Sequence, residues 1–377
     1  MASKTAMVFA FALIFCIATN AEDTEKPIDI LRTPNGGIQP RAAVDQQGTI
    51  HLVYFKSKGA GGNLFYATRA IDAPEWSEPI RVNTTDKNVP RTGSLSLAQI
   101  ALGKSGRVHI TWFDMRAEKY WYARTNDAKD AFKEQRNLVE ENYRGVEAGA
   151  AITADGKGNV YLVWHAGNLS NESRRGVYLR KSEDDGDTFG PETQVDLDKK
   201  GVCGCCALSA LVDHNNVLYI SYRAAGKGVH RDMTLLKSTD GGENFSAQTI
   251  NAWELASCPV TITRVQAKLG GGAIVAFESR EQAYFADVSD LSNPVSVGLP
   301  PAVDRQKNAA LAIAQDGSTL LAWAEGKSWS MGGRLHWQVF DSEGTPTGQK
   351  GQGVTDMPRT TIPEAVALPD GRFVILY

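Results

Sequence analysis

The residues best suited to chemistry are the cysteines of Cys203-Gly204-Cys205-Cys206 and the later, isolated Cys258. Thiolates are nucleophiles and soft metal ligands, whereas thiols in an oxidising compartment pair as disulfides. Two chemistries therefore compete at these positions. One is a pair of disulfides with three possible connectivities, among them a local Cys203–Cys206 bridge with Cys205 joined to Cys258. The other is a site for Cu(I) or Zn²⁺ built from Cys203, Cys205, Cys206 and Cys258, with His165 or His230 as a further donor. Neighbouring side chains alternate across an extended backbone, so Cys205 and Cys206 point apart if this segment is extended. That geometry favours disulfides, and no metal or other cofactor is expected.

The beginning of the chain bears on the same choice. Residues 1–21 carry one charge, Lys4, then an apolar run from Ala6 to Ile17 and a small-residue exit at Ala18 to Ala21. This pattern reads as a secretory signal peptide cut before Glu22, and its apolar run is too short to span a bilayer as a helix. Cys16 leaves with the leader. A secreted or periplasmic protein is expected, with residues 22–377 forming one domain.

Composition narrows the partners. Lys and Arg number 40 against 43 Asp and Glu, a net charge of −3, and loss of Lys4 makes the remainder more acidic still. No basic surface is available for nucleic acid or anionic lipid, which leaves a glycan or a protein as the expected ligand. A monomer without a membrane span is expected. The 36 glycines beside 42% hydrophobic residues fit a turn-rich all-β chain.

Those strands recur. A small apolar strand, a polar turn and a strand ending in an aromatic appear at Arg41–Asp45 with Thr49–Phe55, Leu97–Leu102 with Arg107–Phe113, and Ala150–Asp155 with Asn159–Trp164. The pattern returns at Leu208–Asp213 with Val217–Tyr222, Ile262–Gln266 with Ala273–Phe277, Ala309–Ala314 with Ser318–Trp323, and Glu364–Leu368 with Arg372–Tyr377. Units of this length, most with two further strands, match the four-stranded antiparallel blades of a β-propeller. Seven blades are expected, with six as the alternative if the copy at Ile262 merges with a neighbour. The last copy stops after two strands, so Pro27–Arg32 is expected to join it and close the ring.

In such a ring the second strand of each blade ends at the face where the first begins. Lys56, Asp114, His165, Arg223, Glu278 and Glu325 stand at these ends, with Arg116, Arg280 and Trp329 just beyond. Acids, bases and aromatics around one mouth form a polar ligand site, while the plainer reading is a solvated rim. Asp114, Glu278 and Glu325 are the candidate catalytic carboxyls; His165, Arg223, Arg280, Arg116 and Trp329 are the candidate ligand contacts. No Gly-x-Ser-x-Gly elbow accompanies the scattered histidines.

Two turns share a stricter pattern: Ser182-x-Asp184-x-Gly186-x-Thr188-Phe189 and Ser238-x-Asp240-x-Gly242-x-Asn244-Phe245. Asp caps backbone N–H groups, Gly supplies positive φ, and the aromatic plugs between strands, so both sets are structural first. Through these residues the chain resembles the BNR/Asp-box sialidase superfamily of β-propellers. More narrowly, Cys203-Gly-Cys-Cys206 followed by Trp253-Glu-Leu-Ala-Ser-Cys-Pro259 resembles a group of exported bacterial sialidase-like proteins. The resemblance implies a sialic-acid site with three arginines on the substrate carboxylate, a Tyr–Glu nucleophile and an Asp acid–base, and puts the Asp boxes on the opposite face. Its first arginine lies in an Arg-Ile-Pro motif. Here the stretch is Gly37-Ile-Gln-Pro-Arg41, so the motif is absent and Arg41 is displaced. The expectation is an exported sialidase-like propeller that binds a glycan or protein at its upper face, with a sialidase-like glycoside hydrolase as the alternative.

Overall fold

Short β-branched and aromatic runs, bounded by Gly, Asp and Asn turns, become strands because their side chains pack on a pleated surface and their ends can reverse. The computed structural model describes residues 25–377 apart from 59–60, 86–88, 91–97, 115–116, 141–147, 169, 197, 199, 291, 293–295, 300–301, 303 and 327–331. The proposed leader, Arg116 and Trp329 lie outside the described residues.

The strands form seven sheets, the blades of a seven-bladed propeller. From axis to rim, blade one is Ile38–Val44, Ile50–Lys58, Gly61–Arg69 and Ile80–Arg81, and Val89–Pro90 also pairs with the third strand. Blade two is Gln99–Leu102, Val108–Asp114, Lys119–Arg124 and Arg136–Asn137; blade three is Ala151–Ala154, Val160–Gly167, Arg175–Ser182 and Thr193–Gln194. Blade four is Ser209–Val212, Leu218–Arg223, Met233–Ser238 and Ser246–Asn251. The copy at Ile262 forms its own sheet, blade five: Arg264–Ala267, Ala273–Ser279, Gln282–Asp287 and Ser296–Gly298. That sheet rules out six blades. Blade six is Gln306–Ile313, Thr319–Glu325, Arg334–Phe340 and Pro346–Gln352.

Blade seven closes the ring. Glu364–Ala367 and Phe373–Leu376 pair antiparallel, and Ile28–Leu31 adds outside them in parallel, Ile28 opposite Phe373 and Leu31 opposite Leu376. Thr33 N–H donates to the Tyr377 carbonyl at 2.7 Å, and Tyr377 N–H to the Leu31 carbonyl at 3.1 Å. The two ends of the described chain thus cover each other's open sheet edge. No helix among the described residues is long and apolar enough to cross a membrane.

The core lies between blades. Val53 and Phe55 of blade one pack with Trp112 and Ile110 of blade two, Tyr120 of blade two with Trp164 of blade three, and Phe285 of blade five with Phe340 of blade six. Each blade therefore borrows its second hydrophobic face from a neighbour, and no blade has a complete core alone. All seven inner strands line an axial cavity of about 430 Å³, where small residues such as Ala42, Ala101, Ala154, Ala210, Ala312 and Ala367 let them approach one another. At its upper end Ala148, Ala207, Ile262 and Ile362, from four different units, meet in an apolar cluster.

The lower-face turns carry the two Ser-x-Asp-x-Gly patterns. In the first, Ser182 Oγ donates to Asp184 Oδ1 at 2.8 Å and accepts from Gly186 N–H at 2.8 Å, while Thr188 N–H donates to Asp184 Oδ1 at 2.8 Å. Ser238, Asp240, Gly242 and Asn244 repeat this geometry, with the Asn244 amide donating to Asp240 where the Thr188 hydroxyl donates to Asp184. Gly186 has φ 81° and lies against Tyr122, where a Cβ would collide with the hydroxyl. Phe189 packs edge-on to Tyr122, and Phe245 packs into the cluster between blades three and four.

Candidate functional site

Four charged strand ends stand at the upper face, and they are drawn under it rather than solvated. Asp114, Arg223, Glu278 and Glu325 are 6%, 2%, 2% and 9% exposed. Each is the last or next-to-last residue of a second strand, so strand length alone brings it to this end. Lys56, at the matching place in blade one, is exposed.

Each carboxyl has its own partners. Asp114 Oδ1 accepts from Ala117 N–H at 3.1 Å. Glu325 Oε2 accepts from Trp323 Nε1 at 3.2 Å and stands 3.8 Å from His336 Nε2. Glu278 accepts from Lys307 Nζ at 3.1 Å on both oxygens, and Lys307 also donates to the Pro259 carbonyl at 3.1 Å. Burial pushes the Glu278 carboxyl up to about 7, against the opposing pull of Lys307 and Arg223. Nothing in the sequence marked Lys307. It reaches Glu278 because the inner strand of blade six bulges beside it, with Asn308 at φ 57° and the register shifting between Lys307 and Ala310.

Arg223 is the hub of blades four and five. It donates to the Arg231 carbonyl at 2.8 Å and to the Glu278 backbone carbonyl, and its guanidinium lies 5.3 Å from the Trp253 ring centroid. Arg280 is exposed, and its guanidinium donates to the Ala252 carbonyl at 2.8 Å. His165 is buried in blade three, and among the described residues neither ring nitrogen has a hydrogen-bond partner. Burial first, and the nearby Arg175 charge second, lower its pKa to about 4.

The cysteines gather beside Arg223. Cys205 and Cys258 form a disulfide, Cα atoms 6.7 Å apart, that staples the entries to blades four and five. Cys203 and Cys206 are buried thiols 3.3 Å apart, so of the pairing that joined Cys203 to Cys206 and Cys205 to Cys258 only the second bridge is formed. Nor do Cys205 and Cys206 diverge. Cys206 N–H donates to the Cys203 carbonyl at 3.2 Å, which makes the segment a turn rather than a strand and sends all four sulfurs to one side, within 4.8 Å of one another. Burial raises the Cys206 thiol, but hydrogen bonding from Cys203 and the Arg223 charge outweigh it and lower its pKa; Cys203, as donor, is pushed well up. His165 and His230 are not members of this group.

A second charged set lies deeper. Arg41, just past the bulge in its inner strand, and Arg264 and Glu364, at the start of theirs, converge beneath the apolar cluster and line the axial cavity. Arg41 donates to Glu364 Oε2, and Arg264 Nε lies 3.6 Å from the same oxygen. Among the described residues Nε and one terminal nitrogen of each guanidinium have no hydrogen-bond partner. One carboxylate thus serves two buried guanidiniums. The repeat alignment held a partial signal for this trio: Arg41, Arg264 and Glu364 are charges on inner strands, as is Lys307 of blade six, whereas the inner strands of blades two, three and four carry none.

No protein-family model and no curated protein matches this sequence. Solved structures match it in fold. A Penicillium chrysogenum α-L-arabinanase complexed with arabinobiose has a TM-score of 0.55 at 12% identity, over 82% of this chain and 94% of that one. The GH93 α-L-arabinofuranosidase of Fusarium graminearum with arabinobiose has a TM-score of 0.53 at 12% identity, over 80% and 92%. A PL25 ulvan lyase bound to -[GlcA(1-4)Rha3S]- has a TM-score of 0.51 at 13% identity, over 92% and 88%. At these identities the likeness is one of fold: the chain shares its propeller architecture with glycoside hydrolases and a polysaccharide lyase.

Proposed function

We propose that this chain is an exported, sialidase-like β-propeller, monomeric, that binds a carbohydrate at its upper face. The observation that carries the reading is the burial of Asp114, Arg223, Glu278 and Glu325 at one end of the ring. A solvated rim would leave such charges in water. Buried, oriented polar groups among aromatics such as Trp253 and Trp323 are what a saccharide site uses to fix hydroxyls and ring faces. The sugar-bound propellers of the same fold support the reading. Export rests on the leader pattern of residues 1–21 and on the disulfide. Arg41 lies below the apolar cluster, so the reading does not invoke a sialidase arginine clamp.

A glycan array probed with residues 22–377, and with Asp114→Asn and Glu325→Gln variants, tests this reading. Saturable binding to an oligosaccharide, weakened by either variant and untouched by Asp240→Ala on the opposite face, is the expected result. Absence of oligosaccharide binding, or binding indifferent to both upper-face variants, overturns it.

One observation favours a hydrolase as the second reading. A carboxyl at about 7, as at Glu278, is part-protonated near neutral pH, the state a general acid needs. Hydrolysis of aryl glycosides that disappears in Glu278→Gln would support it; activity unchanged in that variant removes Glu278 from the mechanism.

A further inference from the structure

A structural disulfide needs two sulfurs, and here four meet. Cys203 Sγ is central, 3.4 Å from Cys205 Sγ, 3.3 Å from Cys206 Sγ and 3.6 Å from Cys258 Sγ. In a tetrahedral zinc–thiolate centre with Zn–S bonds of about 2.3 Å, neighbouring sulfurs stand about 3.8 Å apart. Three edges of the cluster are thus close to the length a bound ion would impose. The polypeptide holds the sulfurs there by a turn and a blade junction, two independent elements.

The surroundings suit several thiolates at once. The charge of Arg223 acts on both Cys206 and Cys203, and those of Arg175 and Arg231 act on Cys203, with Glu172 as the opposing charge. The Thr261 hydroxyl lies 3.7 Å from Cys206 Sγ as a donor. Cations and donors around sulfur offset the negative charge of a metal–thiolate complex and orient its ligands. Ala225 and Val260 pack against the cluster and keep water away.

We propose that Cys203, Cys205, Cys206 and Cys258 form a site for a single soft d¹⁰ cation, Zn²⁺ or Cu(I), which opens when the Cys205–Cys258 bond is reduced. A dithiol supplies the two electrons and two protons, becoming a disulfide itself while Cys205 and Cys258 become thiols. The cation then takes the four sulfurs as thiolates, and their protons pass to solvent. In the oxidised chain only Cys203 and Cys206 remain as ligands, half the set. The disulfide and the ion are therefore alternative occupants of the same sulfurs, and the staple between two blades is kept in either state.

The test is metal titration of residues 22–377, reduced with a dithiol and desalted anaerobically, against the oxidised chain. Zn²⁺ alone and Cu(I) alone compete with a chromophoric chelator, while circular dichroism follows the fold. The reduced chain should hold one ion, the oxidised chain should bind it at least about a hundredfold more weakly, and Cys203→Ser should weaken the reduced site at least about tenfold. Cys258→Ser, kept reduced, should bind with three sulfurs and more weakly than the reduced wild type. The two metal arms identify the preferred ion. A folded, reduced chain that binds neither ion better than Cys203→Ser, an oxidised chain that binds as tightly, or a reduced chain that loses its fold overturns the proposal.

Discussion

Lys307 Nζ lies 3.1 Å from both carboxylate oxygens of Glu278, and this buried ion pair ties the inner strand of blade six to the second strand of blade five. A buried pair is costly to break from one side because the remaining charge keeps its desolvation penalty. Lys307→Met should therefore lower unfolding stability by up to about 3–5 kcal/mol above pH 7, where Glu278 is charged, and by less at lower pH, where the carboxyl takes a proton instead. Lys307→Met combined with Glu278→Leu should recover most of that loss. Urea unfolding of the two single variants and the double gives the coupling directly.

The same carboxyl gives stability an unusual dependence on pH. Its folded pKa is about 7 against an ordinary 4.5, so between these values the folded chain binds a proton that the unfolded chain has released. Stability from Glu278 is then greatest near pH 4.5 and is lost as pH rises toward 7, by on the order of 3 kcal/mol. His165 works in the opposite sense. Its pKa is lowered from 6.5 to about 4, so its contribution is present above pH 6.5 and is lost as pH falls through 4. Thermal unfolding of wild type and Glu278→Gln from pH 4.5 to 7 separates the two: the variant should gain relative to wild type as pH rises.

At the lower face Asp185 reaches out of its own turn to blade two. It accepts from Lys104 N–H at 2.9 Å and Arg107 Nε at 2.6 Å, and lies 3.3 Å from His109 Nε2. Removing a carboxylate with partners of this kind costs about 2–3 kcal/mol. Asp185→Ala should lower stability by that amount and leave upper-face ligand binding unchanged, as chemical unfolding and a binding titration would show. Hydrogen bonds to Asp185, the His109 bond among them, help hold its pKa near 2 despite burial, so its contribution is lost only as pH falls from 3.8 through 2.

Closure of the ring rests on a short strand. Deleting residues 25–31 removes the parallel pairing to Phe373–Leu376 and exposes that strand's edge. The truncated chain should unfold at a lower temperature and self-associate, visible in calorimetry and in light scattering, while a deletion of 1–21 alone should do neither.

Much of this architecture was legible because each blade repeats one local pattern. Alternating small and aromatic strands fixed the repeat, Ser182-x-Asp184-x-Gly186 and Ser238-x-Asp240-x-Gly242 fixed the register of two blades, and the missing strands of the last copy pointed to Ile28–Leu31. What escaped depends on contacts across the ring or on one backbone irregularity. Arg41, Arg264 and Glu364 are distant in sequence and meet only when the ring closes. Lys307 depends on the bulge at Asn308, which no local motif announces. At the cysteines the Cys205–Cys258 bridge was legible, but the gathering of all four sulfurs was not, because alternation of side chains holds in strands and Cys203–Cys206 is a turn.

The most direct test of the account is where a ligand sits. Hydrogen–deuterium exchange of the chain, with and without an oligosaccharide that it binds on the array, reads this out along the sequence. Protection should gather at the upper strand ends, in peptides containing Asp114, Arg223, Glu278 and Glu325. Protection confined to the lower turns at Ser182–Phe189 and Ser238–Phe245, with none at those strand ends, would contradict it.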